Sequence, residues 1–152
     1  MANTTTTFFA AYNYFLATLR TSLTGLADPW TVFDGDPRQG EYNYVAALLA
    51  TGSWVTTPAG IGAGSPSFPL DEEYSIDARL ACWDQTIDQS LTRASIASAF
   101  EAIMAGIRAD PTLGGIALWS YLSAVVFEQG PTDASGSFTQ LDVSLTVRAR
   151  IH

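Results

Sequence analysis

The stretch Phe138-Thr139-Gln140-Leu141-Asp142-Val143-Ser144-Leu145-Thr146-Val147-Arg148-Ala149-Arg150-Ile151 decides the fold class. Leu141, Val143, Leu145, Val147, Ala149 and Ile151 alternate without a break with Asp142, Ser144, Thr146, Arg148 and Arg150. Successive side chains of a strand point to opposite faces, so this pattern predicts a strand with one face on a core and the other wet or paired. Upstream, Gly130-Pro131-Thr132-Asp133-Ala134-Ser135-Gly136 supplies turn residues, and Ile116 to Glu128 reads as the partner strand of a hairpin. In that partner Trp119 and Tyr121 oppose Leu118 and Leu122, so both of its faces are expected to be covered.

Further outward, Ile96, Phe100, Ile103, Met104 and Ile107 recur at helical spacing and stop at Asp110-Pro111, with Gly114-Gly115 behind. Tyr74, Ile76, Ala78, Leu80 and Cys82 alternate with Glu73, Ser75, Asp77, Arg79 and Ala81, the signature of another strand. At the start of the chain, Phe8, Tyr12, Phe15, Leu19, Leu23 and Leu26 mark one face of a helix, with candidate caps at Asn3 to Thr5 and an end at Gly25 and Asp28-Pro29. Trp30 to Phe33 and Tyr42 to Leu49 read as two short strands forming a hairpin around Asp34 to Gly40, although Ala46 to Ala50 also suits a helical turn.

From Thr51 to Leu70 the glycines and prolines (Gly52, Pro58, Gly60, Gly62, Gly64, Pro66, Pro69) predict a long loop. Its Trp54, Val55, Ile61, Phe68 and Leu70 are too apolar for a solvated linker, which leaves an arm against a neighbouring subunit or a flap over the chain's own core. The predicted fold is α+β: one domain over residues 1–152, with a mostly antiparallel or mixed sheet of about four to five strands and two helices on one face.

A chain of 152 residues suits one domain, which buries roughly 70% of the surface of its unfolded state. The chain is 47% hydrophobic and 14% charged, against about 25% charged in an average domain, which suggests that some apolar surface meets a partner. Fifteen acids against seven arginines and no lysine give a net charge of -8, which argues against a grip on nucleic acid but suits a surface past which DNA slides. Cys82 is the single cysteine and is expected to be a buried free thiol. The run Phe8 to Leu19 is too short to span a bilayer, so cytoplasmic synthesis without a membrane anchor is expected.

Chemistry-bearing patterns are sparse. The one histidine is the terminal His152, which leaves a Ser-His-Asp or Cys-His site without a base and a zinc site without ligands. Gly60-Ile61-Gly62-Ala63-Gly64 resembles a phosphate loop only superficially, because Pro66 and Pro69 stand where its helix must begin. Asp34 and Asp36 open like a calcium loop, but Val45 stands where the bidentate glutamate belongs, and turn aspartates explain them better. Asp71-Glu72-Glu73 offers general acid or base chemistry if burial raises one pKa, or simply a solvated loop edge. Arg79, Arg148 and Arg150 share outward strand faces and suit either ordinary cross-strand salt bridges or acids of another subunit.

The first helix followed by Val32-Phe33-Asp34-Gly35-Asp36-Pro37, then Asp71-Glu72-Glu73-Tyr74-Ser75-Ile76, then Arg108-Ala109-Asp110-Pro111-Thr112-Leu113-Gly114-Gly115, resembles the small tail terminator and neck proteins of long-tailed bacteriophages, particularly those of actinobacterial hosts. The resemblance implies a structural virion protein of the tail and neck, without catalytic residues, cofactor or metal. It implies subunits that close into a ring, hexameric in that family, stop tube polymerisation and face the head connector. The implied partners are copies of the chain itself, the tail tube protein and the head-tail connector, with DNA only as cargo in the lumen and no membrane. Trp54, Phe68, Arg79, Arg148 and Arg150 are the candidate subunit-interface residues. The alternatives are a head-completion or head-tail adaptor protein, and a small ligand-binding or enzyme domain built on Asp71 to Glu73.

Overall fold

The computed structural model describes residues 6–35, 43–58, 70–84, 89–132 and 136–151. The elements follow the order α1 (Phe8–Thr24), β1 (Thr31–Asp34), β2 (Tyr44–Pro58), β3 (Leu70–Asp84), α2 (Gln89–Ala109), β4 (Trp119–Pro131) and β5 (Ser137–Ile151). The five strands form one mixed sheet in the spatial order β1-β2-β3-β5-β4. This is the single α+β domain expected.

The alternating sequences place β3 and β5 at the centre. They pair antiparallel along their whole length, with Tyr74 opposite Val147, Ile76 opposite Leu145, Ala78 opposite Val143 and Leu80 opposite Leu141. All eight are buried and line the face on which the helices sit. Helix α1 lays Phe15, Leu19 and Leu23 into this core, and α2 adds Ile96, Ala99, Ile103 and Ile107. Apolar residues three and four apart form one stripe, so each helix has a single face to bury. Gly25 ends α1, as its position in the sequence suggests.

The exit from α2 is built on one side chain. Asp110 accepts hydrogen bonds from the Thr112 hydroxyl (2.6 Å), the Thr112 amide (3.2 Å) and the Gly114 amide (2.8 Å). These bonds, the Thr112 hydroxyl first, hold the Asp110 carboxyl below its usual range. They fix a turn in which Leu113 takes φ 53°, Gly114 71° and Gly115 90°. A leucine at positive φ is strained, and here full burial of its side chain in the core holds it.

Two expectations are corrected. Trp30 to Phe33 and Tyr42 to Leu49 do not form a hairpin: β1 and β2 run parallel, with Thr31 opposite Val45 and Asp34 opposite Leu48. Positive φ at Gly35 turns the chain, and its amide donates to the Leu48 carbonyl at 2.7 Å. Thr51 to Leu70 is also not one loop, because β2 continues to Pro58 and pairs with β3 from Gly52 opposite Ile76 to Pro58 opposite Leu70. Gly52 falls at a register shift after Leu48, and Pro58 is the last strand residue, two places where a strand tolerates these residues. Between them Trp54, Val55, Thr56 and Thr57 favour the extended chain. The candidate caps Asn3 to Thr5, the glycine run 60–64, Phe68, Asp36 and His152 lie outside the described residues.

Candidate functional site

The acids Asp71, Glu72 and Glu73 do not converge, because they follow one another along β3 and alternate between its faces. Glu72 is in phase with Tyr74 and Ile76 and points to the helix side, where it is 1% exposed. The beginning of α1 saturates it: the Thr7 amide donates at 2.5 Å and the Thr7 hydroxyl at 2.7 Å to one oxygen, and the Thr6 hydroxyl donates at 2.9 Å to the other. Carboxylate is favoured at a helix N-terminus, where backbone N–H groups lack helical partners. Tyr74 completes the group at 2.9 Å from the Thr7 hydroxyl, and burial pushes its phenol up to about 12. Glu72 thus fastens α1 to β3.

Asp71 points the other way and lies under two guanidinium groups. Arg150 donates to it at 2.8 and 3.3 Å and Arg148 at 3.1 Å. The Arg150 hydrogen bonds hold its carboxyl below the usual range against the opposing effect of burial, with Arg148 adding to them. A general acid at neutral pH needs the opposite shift. Glu73 is exposed on the same open face.

The structure thus places Arg148 and Arg150 together on Asp71, and Arg79 on Asp142 at 2.8 Å, about 26 Å further along β3 at roughly 3.3 Å per residue. All three pairs lie within the chain; Arg150–Asp71 and Arg79–Asp142 follow the strand register, whereas Arg148, registered opposite Glu73, reaches Asp71 diagonally. The arginines remain more than two-fifths exposed, so solvent screens the pairs and they contribute little to stability. Trp54 sits in β2 opposite Tyr74; its side chain, like the whole of Phe68, is outside the described residues.

Cys82 is fully buried, and burial pushes its thiol up to about 12, so it stays protonated at neutral pH. A hollow of about 360 Å³ lies between the end of β3 and α2, lined by Asp28, Tyr44, Asp84, Thr92, Ser95 and Ser98 among others. Burial raises the Tyr44 phenol there, which removes it as a base near neutrality. Among the described residues no group of three or more His, Cys, Asp or Glu stands close enough to hold a metal ion.

The most unusual surface is on β4, an edge strand. Trp119, Tyr121, Val125, Val126 and Phe127 are all exposed, from 37% at Trp119 to 62% at Val125. The expectation that both faces of this strand are covered is therefore wrong within the chain: Ser120 and Leu122 face the core, while Trp119 and Tyr121 stack on the outside with ring centres 5.6 Å apart. A register shift between Ala124 and Val126 bulges the strand and turns Val125 outward. Glu128 is the one charged residue of β4. Long, apolar, uncharged edges are sites where another strand adds, and natural proteins usually blunt them with charge or proline. The signal was legible in sequence as the aromatic residues out of phase with Leu122; the burial of Glu72 was legible as its phase with Tyr74 and Ile76.

No family model matches the sequence, and no curated protein matches it. Among solved structures the chain is similar to one from the "Virion of native gene transfer agent (GTA) particle", at 11% sequence identity and a TM-score of 0.41, over 88% of this chain and 94% of that one. A likeness of that extent assigns neither a family nor an activity.

Proposed function

We propose that this chain is a structural subunit that associates with copies of itself, and that it serves as a tail terminator of a phage-like virion: a ring that caps the tail tube, halts its growth and joins it to the head connector. The observation that carries the self-association is the apolar edge of β4, with five large side chains exposed on a strand that holds one charge. The place in the virion rests on the sequence resemblance through Val32 to Pro37, Asp71 to Ile76 and Arg108 to Gly115. The net charge of -8 suits a channel through which DNA moves without adhering. A ring closed by one repeated head-to-tail contact uses up every such contact and leaves a different surface above, which is how growth stops. Trp54, Phe68 and the outward arginines Arg79, Arg148 and Arg150 belong to this proposal as residues near subunit contacts.

Light scattering on the purified protein over a wide concentration range, followed by imaging of the large species, tests it. A closed oligomer of about six subunits is the expected result. A monomer at every concentration would remove the self-assembling ring and favour a head-tail adaptor that binds only other proteins. The reading as an enzyme on Asp71 to Glu73 gains nothing from the geometry, since the first two acids are engaged within the chain on opposite faces of β3.

A further inference from the structure

Among the described residues the sheet has two open backbone edges, at its opposite sides. One is the outer side of β4. The other belongs to β2: β1 covers only Val45 to Leu48, so among the described strands nothing pairs with the far side of Gly52 to Pro58. We infer that these two edges meet between neighbouring copies of this chain, with Trp119–Leu122 of one copy adding as a strand beside Gly52–Val55 of the next. This inference rests on the self-association proposed above and specifies its contact.

Three features of the sheet support a second copy as the occupant. The first is level. Following the Cα partners across the sheet, Val55 stands in one row with Glu73, Arg148 and Trp119, and Ser53 stands in one row with Ser75, Thr146 and Tyr121. Gly52, Ile76, Leu145 and Leu122 form a third such row. Two copies set side by side without rise along the strands therefore bring Trp119 to Val55, Tyr121 to Ser53 and Leu122 to Gly52.

The second is direction. β2, β3, β5 and β4 alternate in direction across the sheet, so copies in the same orientation present β4 antiparallel to the neighbour's β2. Antiparallel addition is the more stable pairing per residue. The same contact repeats at every copy, as a head-to-tail ring requires, whereas a β4-to-β4 pairing closes after two.

The third is charge. Copies each carrying -8 repel one another, but β2 from Gly52 to Pro58 has no charged residue and β4 from Trp119 to Phe127 has none. The two edges can approach without bringing like charges together. Beyond the bulge at Ala124 to Val126, β4 stays paired with β5 at the level where the neighbour's β1 covers Val45 to Leu48, so the β4-to-β2 contact is confined to Trp119–Leu122.

Cysteine cross-linking tests the contact. Within one chain Ser53 and Tyr121 are three strand spacings apart, about 14 Å, whereas a disulfide spans about 4.4–6.8 Å between Cα atoms. A bridge between these positions can therefore form only between copies, and the native thiol of Cys82 is buried. Ser53→Cys and Tyr121→Cys proteins, each checked for a wild-type circular dichroism spectrum and melting curve, are mixed under mild oxidation and run on a non-reducing gel. The expected result is a mixed dimer as the dominant band, a ladder ending in one closed species for the double variant, and no mixed dimer when Ser53→Cys meets Arg20→Cys on exposed α1. Tyr121–Tyr121 bridges alone would replace the inference by a two-fold β4 pairing. An oligomer seen by light scattering without the mixed bridge would overturn this contact and leave self-assembly standing. Absence of both oligomer and bridge would overturn the two together.

Discussion

Two regions of the sheet reverse the usual rule. At the start of β3, two carboxylates are buried; along β4, five large apolar side chains face solvent. The acids succeed because the chain supplies their partners: two threonines and a backbone amide for Glu72, two arginines for Asp71. The apolar strip has no such internal complement among the described strands. A buried charge with its hydrogen bonds made is a property of the fold, while an exposed apolar edge points beyond it.

The comparison breaks first at Glu72. Replacement by alanine leaves the Thr7 amide and two hydroxyls without their acceptor in a buried site, and the expected loss is about 3 kcal/mol in a urea titration. A loss below about 0.5 kcal/mol, the range of surface substitutions, would mean that α1 does not depend on this carboxylate.

A smaller effect is expected at Asp71, because its arginine partners are largely exposed and solvent screens the pairs. Asp71→Asn should cost about 1 kcal/mol at pH 7. The folded state holds the Asp71 carboxyl below its usual 3.8, so its contribution is fully present above that value and disappears as pH falls through the lower, folded pKa. Wild type and Asp71→Asn should accordingly differ in melting temperature near neutrality and converge in acid below about pH 4. A difference that persisted at the lowest pH would show that packing, and not the ion pair, sets the effect.

The smallest effect on folding is expected on β4. Val125→Lys, at the bulge and 62% exposed, should change stability by less than about 0.5 kcal/mol. It should nevertheless weaken self-association, because a lysine on an open edge discourages strand addition. A large loss of stability would mean that the strip belongs to the core of the single chain, and the contrast with Asp71 and Glu72 would collapse.

Much of the fold was legible. The alternation in Tyr74 to Cys82 and Leu141 to Ile151 gave the two central strands and their buried faces, and the stripes of α1 and α2 gave the helices. The site was legible only in part. The register pairs Arg148 with Glu73 and Arg150 with Asp71 directly, yet both guanidinium groups reach Asp71, a choice made by side-chain geometry. Glu72 was readable from its phase with Tyr74, but its partner Thr7 is distant in sequence and no local pattern links them.

By itself the sequence determined the periods, and therefore which residues share a face of a strand or a helix, because side-chain direction follows from local backbone geometry. Only the tertiary structure decided that β1 runs parallel to β2, that β2 continues through Gly52 to Pro58, and that β4 lies at the edge. Strand order and direction depend on hydrogen bonds between distant segments, which leave no period in the chain. That is why the exposed residues of β4 read as a doubly covered strand until their neighbours were known.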